Sequence, residues 1–249
     1  MLFFLNKEPK PWLFTKKRLP LQLKLKTKTI TMIHVVCVHT AMALVEPLTK
    51  IFQEYLPEVN VNHIADSSLI KEVIANNQVT NAVRRRLLSY YNGAADAGAD
   101  VVFNTCSSVG DVADYGNLYA RIPVFRIDQP MAAEAVSRYD RIGVISTLPT
   151  TLDPTCRLLR NEAKKAAREV TLVEGLADGA FAAGQSGEGE THDRLIAEAA
   201  QRIASQVDMF VLAQGSMARM EQRLSELTGK PVLSSPVLGV KGLRKFLGL

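Results

Sequence analysis

Residues 100–108 read DVVFNTCSS, and residues 208–216 read DMFVLAQGS. Each stretch opens on an acid, passes through a short apolar β-forming segment and ends in small polar residues suited to a turn. They lie 108 residues apart, and the interval recurs. His39-Thr40 answers to Ser146-Thr147, and Glu46-Pro47 to Asp153-Pro154, at 107; Ile122-Pro123-Val124 answers to Lys230-Pro231-Val232 at 108. Four anchors at a nearly constant interval predict two copies of one unit of about 105 residues.

Within each unit, strand-like and helix-like segments alternate. Strands are expected at 33–40 (IHVVCVHT), 59–64, 100–103 and 122–127, and again at 141–146 (RIGVIS), 169–173, 208–212 and 231–233. Apolar residues at helical spacing predict helices over 41–55, 79–97, 154–168 and 192–205, and a C-terminal one over 241–247. Strands joined by helix-sized connections imply βαβ units and parallel sheets. The expected fold is α/β: two pseudo-twofold-related lobes, each a four-stranded parallel sheet flanked by helices. The expected boundaries are 32–139 and 140–236, with a crossing near Ser137–Arg141 and residues 237–249 packing back on the first lobe. Ligands of open α/β sheets bind beyond the strand C-termini, so the site is expected in the cleft between the lobes.

The chain has 249 residues, 47% hydrophobic and 22% charged, which is ordinary globular composition and excludes collagen-like, coiled-coil and wholly disordered chains. Its net charge of +5 is misleading. Residues 1–31 hold eight Lys/Arg and only Glu8 as an acid, contributing +7, so residues 32–249 carry 5 − 7 = −2. A nucleic-acid binder needs its basic face on a folded domain, and none is expected here. Residues 1–31 read as a disordered basic extension, with a targeting or membrane-surface role as the alternative. No apolar run approaches the roughly 18 residues that a membrane span requires. Three cysteines make no disulfide framework, and no CxxC or Cys/His cluster in the sequence suggests a metal. A cytoplasmic protein is the expectation.

The segment Asn104-Thr105-Cys106-Ser107-Ser108 follows the third strand and precedes Val109-Gly110-Asp111, where a helix is expected to begin. Such a turn offers hydroxyls and unpaired backbone N–H groups to a carboxylate, and its field is expected to favour a Cys106 thiolate. A buried cysteine capping a strand is the blander alternative; strand-end position and polar company favour function. Cys37, between two valines, reads as core, and Cys156 as a helix residue without a role. His39 ends the first strand at the cleft and reads as a ligand contact, whereas His34, His63 and His192 read as structural, surface or capping residues. No GxGxxG, GxxxxGK[ST] or HExxH pattern is present, and Gly184–Gly189 lacks phosphate-loop spacing. The residues expected to line the cleft are His39, Thr40, Asn104, Thr105, Ser107, Ser108, Thr147, Thr150, Gly215 and Ser216. Asp66 is expected no nearer than its rim.

The strand-terminal NTCSS, the HT and STLPTT strand ends and the second-lobe VLAQGSMA resemble the aspartate/glutamate/hydantoin racemase superfamily, from Met32 to the C-terminus. That group includes amino-acid and hydantoin racemases, maleate isomerase and arylmalonate decarboxylase. The resemblance implies cofactor-independent chemistry, with no metal, on a small carboxylate held between the lobes. It also implies two cysteines flanking the substrate in the racemases of the group. Here the position 108 residues after Cys106 is Gln214, which cannot exchange a proton as a thiol does. Catalysis is therefore assigned to Cys106, with Gln214 facing it. An isomerase or racemase in which Cys106 works alone, a decarboxylase-type lyase with one-sided protonation, and a non-catalytic carboxylate-binding protein stay open. The expected partners are the carboxylate and, in a homo-oligomer, further copies of the chain.

Overall fold

The computed structural model describes residues 32–249. The disordered-extension reading of residues 1–31 lies outside them. In chain order the first half is β1 (Ile33–His39), α1 (Val45–Tyr55), β2 (Val59–Ala65), α2 (Ser67–Asn76), α3 (Asn81–Asp96), β3 (Val101–Asn104), α4 (Gly110–Tyr119), β4 (Val124–Arg126) and α5 (Gln129–Arg138). The second half is β5 (Arg141–Ser146), α6 (Pro149–Lys165), β6 (Thr171–Leu176), α7 (Ala180–Gln185), α8 (Gly189–Ile203), β7 (Met209–Leu212), α9 (Glu221–Thr228), β8 (Val232–Ser234) and α10 (Ser235–Leu247). Two four-stranded parallel sheets result, ordered β2-β1-β3-β4 and β6-β5-β7-β8. The α/β class with two matching sheets is as the repeat predicts.

The contacts of the repeated residues explain the repeat. Asp100 accepts the His34 N–H at 2.8 Å, and its own N–H donates to the His34 carbonyl at 2.8 Å. Asp208 does the same with Arg141, at 3.2 and 2.8 Å. Each aspartate thereby fixes the register of the two central strands. The prolines before the edge strands serve alike: the carbonyls of Pro123 and Pro231 accept from Val102 and Phe210 at 2.9 and 2.8 Å. Neither proline can donate to a ladder, and edge position tolerates that.

Both sheets are covered on both faces, hence the near-continuous apolar strands. In the first, Val36, Val38 and Val102 pack on α2, α3 and α4, while Val35, Cys37 and Phe103 pack on α1 and α10. In the second, Val144 and Val211 pack on α5 and α6, and Ile145, Phe210 and Leu212 on α8 and α9. The last helix of each half therefore serves the other half's sheet. So α5, inside the expected first-lobe boundary, covers the second sheet, and α10 covers the first. The two exchanged helices also touch, and small residues permit it. A Cβ on Gly239 would stand 2.6 Å from the Ile127 carbonyl, and one on Gly242 2.3 Å from Pro130 Cγ.

Helix starts differ from the sequence expectation where proline or a cap was misjudged. α6 begins at Pro149 rather than 154, because Pro149 takes the first-turn position, where its missing N–H costs nothing. α10 begins at Ser235 rather than 241, with Pro236 playing the same part. α2 was not expected; Asp66 caps it by accepting the Ser68 N–H at 2.9 Å. Among the described residues no helix is long and apolar enough to cross a membrane.

Candidate functional site

The C-terminal ends of β1, β3, β5 and β7 open onto one cavity of about 110 Å3. Of the expected residues, Thr40, Thr105, Cys106, Ser107, Ser108, Gln214, Gly215 and Ser216 line it. His39, Asn104 and Thr147 stand behind that lining. Thr150 is not part of it: with α6 starting at Pro149, Thr151 reaches the cavity instead, and the Thr150 hydroxyl is buried without a partner. Ala41, Ala43, Leu44, Ile70, Leu148 and Phe181 also line the cavity and were not foreseen.

Cys106 and Gln214 hold equivalent backbone positions. Each is extended, at φ −121°, ψ 117° and φ −113°, ψ 135°, and each precedes a 3₁₀ turn. The turns close alike, Val109 N–H on the Cys106 carbonyl at 3.3 Å and Met217 N–H on that of Gln214 at 3.0 Å. The N–H groups of Ser107 on one side, and of Gly215 and Ser216 on the other, have no partner within their own turns.

The side chains repeat the correspondence. Thr40, Ser108 and Val109 surround the Cys106 thiol and favour its charged form, though less than burial opposes it. One repeat later, Gln214 Nε2 donates to Thr147 Oγ1 at 2.6 Å, and its Oε1 accepts the Thr147 N–H at 3.1 Å and the Ser146 hydroxyl at 3.2 Å. The Gln214 amide is thus anchored to the end of β5. Burial pushes the Cys106 thiol above its ordinary value despite the surrounding donors. This corrects the expectation of a favoured thiolate: in the free site the sulfur carries its proton.

Asn104 braces the loop from below. Its Oδ1 accepts from the buried Tyr91 hydroxyl at 3.1 Å, and its Nδ2 donates to the Cys106 carbonyl at 3.2 Å. Ser108 and Thr151 share a hydroxyl hydrogen bond of 2.6 Å that ties the two halves beside the cavity. Behind the loop, buried Arg126 forms two hydrogen bonds with Asp128, at 3.0 and 3.1 Å, and a third with Asp114 at 3.0 Å.

His39 and His63 form a hydrogen-bonded chain rather than ligand contacts. The Thr49 hydroxyl donates to the Val45 carbonyl at 2.8 Å, so His63 Nε2, 3.0 Å away, is the donor to Thr49. His63 Nδ1 lies 2.8 Å from His39 Nε2, and His39 Nδ1 lies 2.9 Å from the hydroxyl of Thr105, which itself donates to the Val38 carbonyl at 3.1 Å. His63 had been read as a surface or capping residue; its register partner Cys37 on β1 turns it inward instead. With Cys37 these two histidines form a group whose possible metal-ligand atoms all lie within 4.8 Å of one another. The ring nitrogens of both histidines are already engaged with one another and with Thr49 and Thr105, and burial drives the Cys37 thiol well above its usual range.

Burial, and then the neighbouring His63, lower His39 from 6.5 to about 4. A depressed histidine contributes stability that is complete above its unfolded value and is lost as pH falls toward the folded one. We expect roughly 3 kcal/mol to disappear between pH 6.5 and 4. Urea unfolding of wild type and His39→Gln across that window checks this; an unchanged acid slope in the variant would refute it.

The Asp/Glu/Hydantoin racemase family model matches residues 33–243. No curated protein matches the sequence at a significant level. Among solved structures, allantoin racemase from Klebsiella pneumoniae is 17% identical with a TM-score of 0.65, over 87% of this chain and 89% of that one. Glutamate racemase from Francisella tularensis in complex with D-glutamate is 12% identical with a TM-score of 0.69, over 87% and 81%. Picrophilus torridus aspartate racemase is 11% identical with a TM-score of 0.66, over 87% and 94%. At these identities the likeness is one of fold.

Proposed function

The chain belongs to the Asp/Glu/hydantoin racemase family, and from that premise we propose a cofactor-independent racemase- or isomerase-type enzyme acting on a small carboxylate, an amino acid or derivative, through Cys106. One observation carries the single-thiol reading. Cys106 is the only cysteine among the described residues lining the cavity, and the equivalent position in the other half is an amide bonded to Thr147. In this reading the N–H groups of Ser107, Gly215 and Ser216 and the hydroxyls of Thr40 and Ser108 hold the carboxylate. Thr105, Asn104, Thr147 and His39 keep those groups in place.

Chemistry follows from the protonated thiol. A group above its ordinary value is matched to giving a proton to a carbanion or enolate, and to taking one back when the bound carboxylate has been neutralised by the surrounding donors. Gln214 holds and orients but exchanges no proton, so transfer is one-sided. The same observation favours a second reading, a decarboxylase-type lyase in which carbon dioxide leaves and Cys106 protonates the enolate on one face.

Incubation in D2O with amino acids, hydantoins, maleate and substituted malonates tests the proposal. One-sided transfer predicts α-deuterium exchange that outpaces inversion, or decarboxylation that gives one enantiomer. Exchange and inversion at equal rates would require a second group and defeat the single-thiol reading. No turnover of any compound would leave a binding protein.

A further inference from the structure

Resting on the reading above, we propose that the substrate carries a single carboxylate and that its substituent at the reacting carbon is uncharged and apolar. The lining is of two kinds. Cys106, the hydroxyls and the turn N–H groups are polar, whereas Ala41, Ala43, Leu44, Ile70, Leu148 and Phe181 make an apolar wall. These six come from four separate parts of the chain, namely the loops after β1 and β5 and the helices α2 and α7. Only the polar residues offer a carboxylate its hydrogen bonds, so the apolar wall is left to the remainder of the ligand.

Charge makes the division selective. No side chain among the described lining residues is Lys, Arg, His, Asp or Glu. The guanidinium groups behind and around the cavity are committed to carboxylates: Arg126 to Asp128 and Asp114, Arg157 to Asp111 and Asp153, and Arg86 to Asp66 and Glu72. A substrate with an acidic side chain would place a second carboxylate in a small cavity without a countercharge. Burying such an ion unpaired is strongly unfavourable. An aliphatic group of similar length gains there from leaving water. The volume of about 110 Å3 limits that group to a few heavy atoms.

Calorimetric binding to wild-type protein, independent of turnover, tests this with matched probes. The pairs are norvaline against glutamate and 2-hydroxypentanoate against 2-hydroxyglutarate. The apolar member of each pair should bind at least tenfold more tightly. Phe181→Ala should weaken the apolar members about fivefold and leave the acidic ones unchanged. Leu44→Ala, at a second place on the wall, should act in the same direction. Acidic members that bind equally well or better, binding of neither member, or variants that leave the preference intact would each overturn the inference. Apolar members that bind without reacting would sustain it and defeat the proposed function. Turnover restricted to acidic members would do the reverse.

Discussion

Replacing Cys106 by serine lowers turnover by a factor on the order of 10^3, with folding stability and ligand affinity little changed. The size of the effect follows from chemistry. Serine keeps the shape of the side chain and its polar surroundings of Thr40, Ser108 and Val109. Its hydroxyl, however, is far too weak an acid or base to exchange a proton at neutral pH. No neighbouring base is placed to activate it, because His39 is turned to Thr105 and His63. A thiol held above its ordinary value should also alkylate slowly at pH 7 and faster as pH rises, and saturating ligand should shield it. Steady-state rates on the best substrate, together with thermal melts of both proteins, give the comparison. A serine protein retaining more than a tenth of wild-type turnover would remove the thiol from the reaction.

How much of this the sequence foretold depends on what each residue was responding to. The repeat was legible because its residues do the same local work twice. Asp100 and Asp208 grip the first residues of the central strands, and the two prolines guard edge strands. Cys106 and Gln214 could be paired by counting, because strand length and turn type are the same in both halves. The placement of α5 on the second sheet was not legible, since it depends on which sheet face stands open in three dimensions. The apolar wall was hidden for a related reason. Ile70 lies on a ten-residue helix that no expected element covers, and Phe181 on a short helix with too few residues to show a period. Thr150 and Thr151 were confused by a helix start displaced by five residues, from 154 to Pro149. A one-residue error at the first turn of a helix turns a side chain away by about 100°. The histidine chain needed strand register, which sequence spacing does not supply.

Asp128→Asn should be the most damaging single change to stability, costing about 3–5 kcal/mol. Arg126 is 3% exposed and Asp128 1%, and their two hydrogen bonds, 3.0 and 3.1 Å, leave the guanidinium no hydrated alternative. Burial opposes the Arg126 charge, but Asp128, with Asp114 and Asp111 further out, more than restores it. Taking the charge from Asp128 leaves a buried cation facing carboxylates whose side chains are 43% and 63% exposed. Those are screened by water and salt and supply little. The damage would not stay local. The guanidinium lies so close to Gly110 that a Cβ there would stand 2.2 Å from Nη2, and Gly110 starts the helix that follows the Cys106 turn. Displacement of Arg126 therefore shifts the reacting loop. For a chain of this size the melting temperature should fall by roughly 10 °C, while Asp111→Asn, on the exposed side of the same cluster, should cost less than about 1 kcal/mol. High salt should leave the difference between the two variants intact, because a buried pair is poorly screened. Equal effects of the two substitutions, or a difference erased by 1 M salt, would show that Arg126 is held by the outer carboxylates rather than by Asp128.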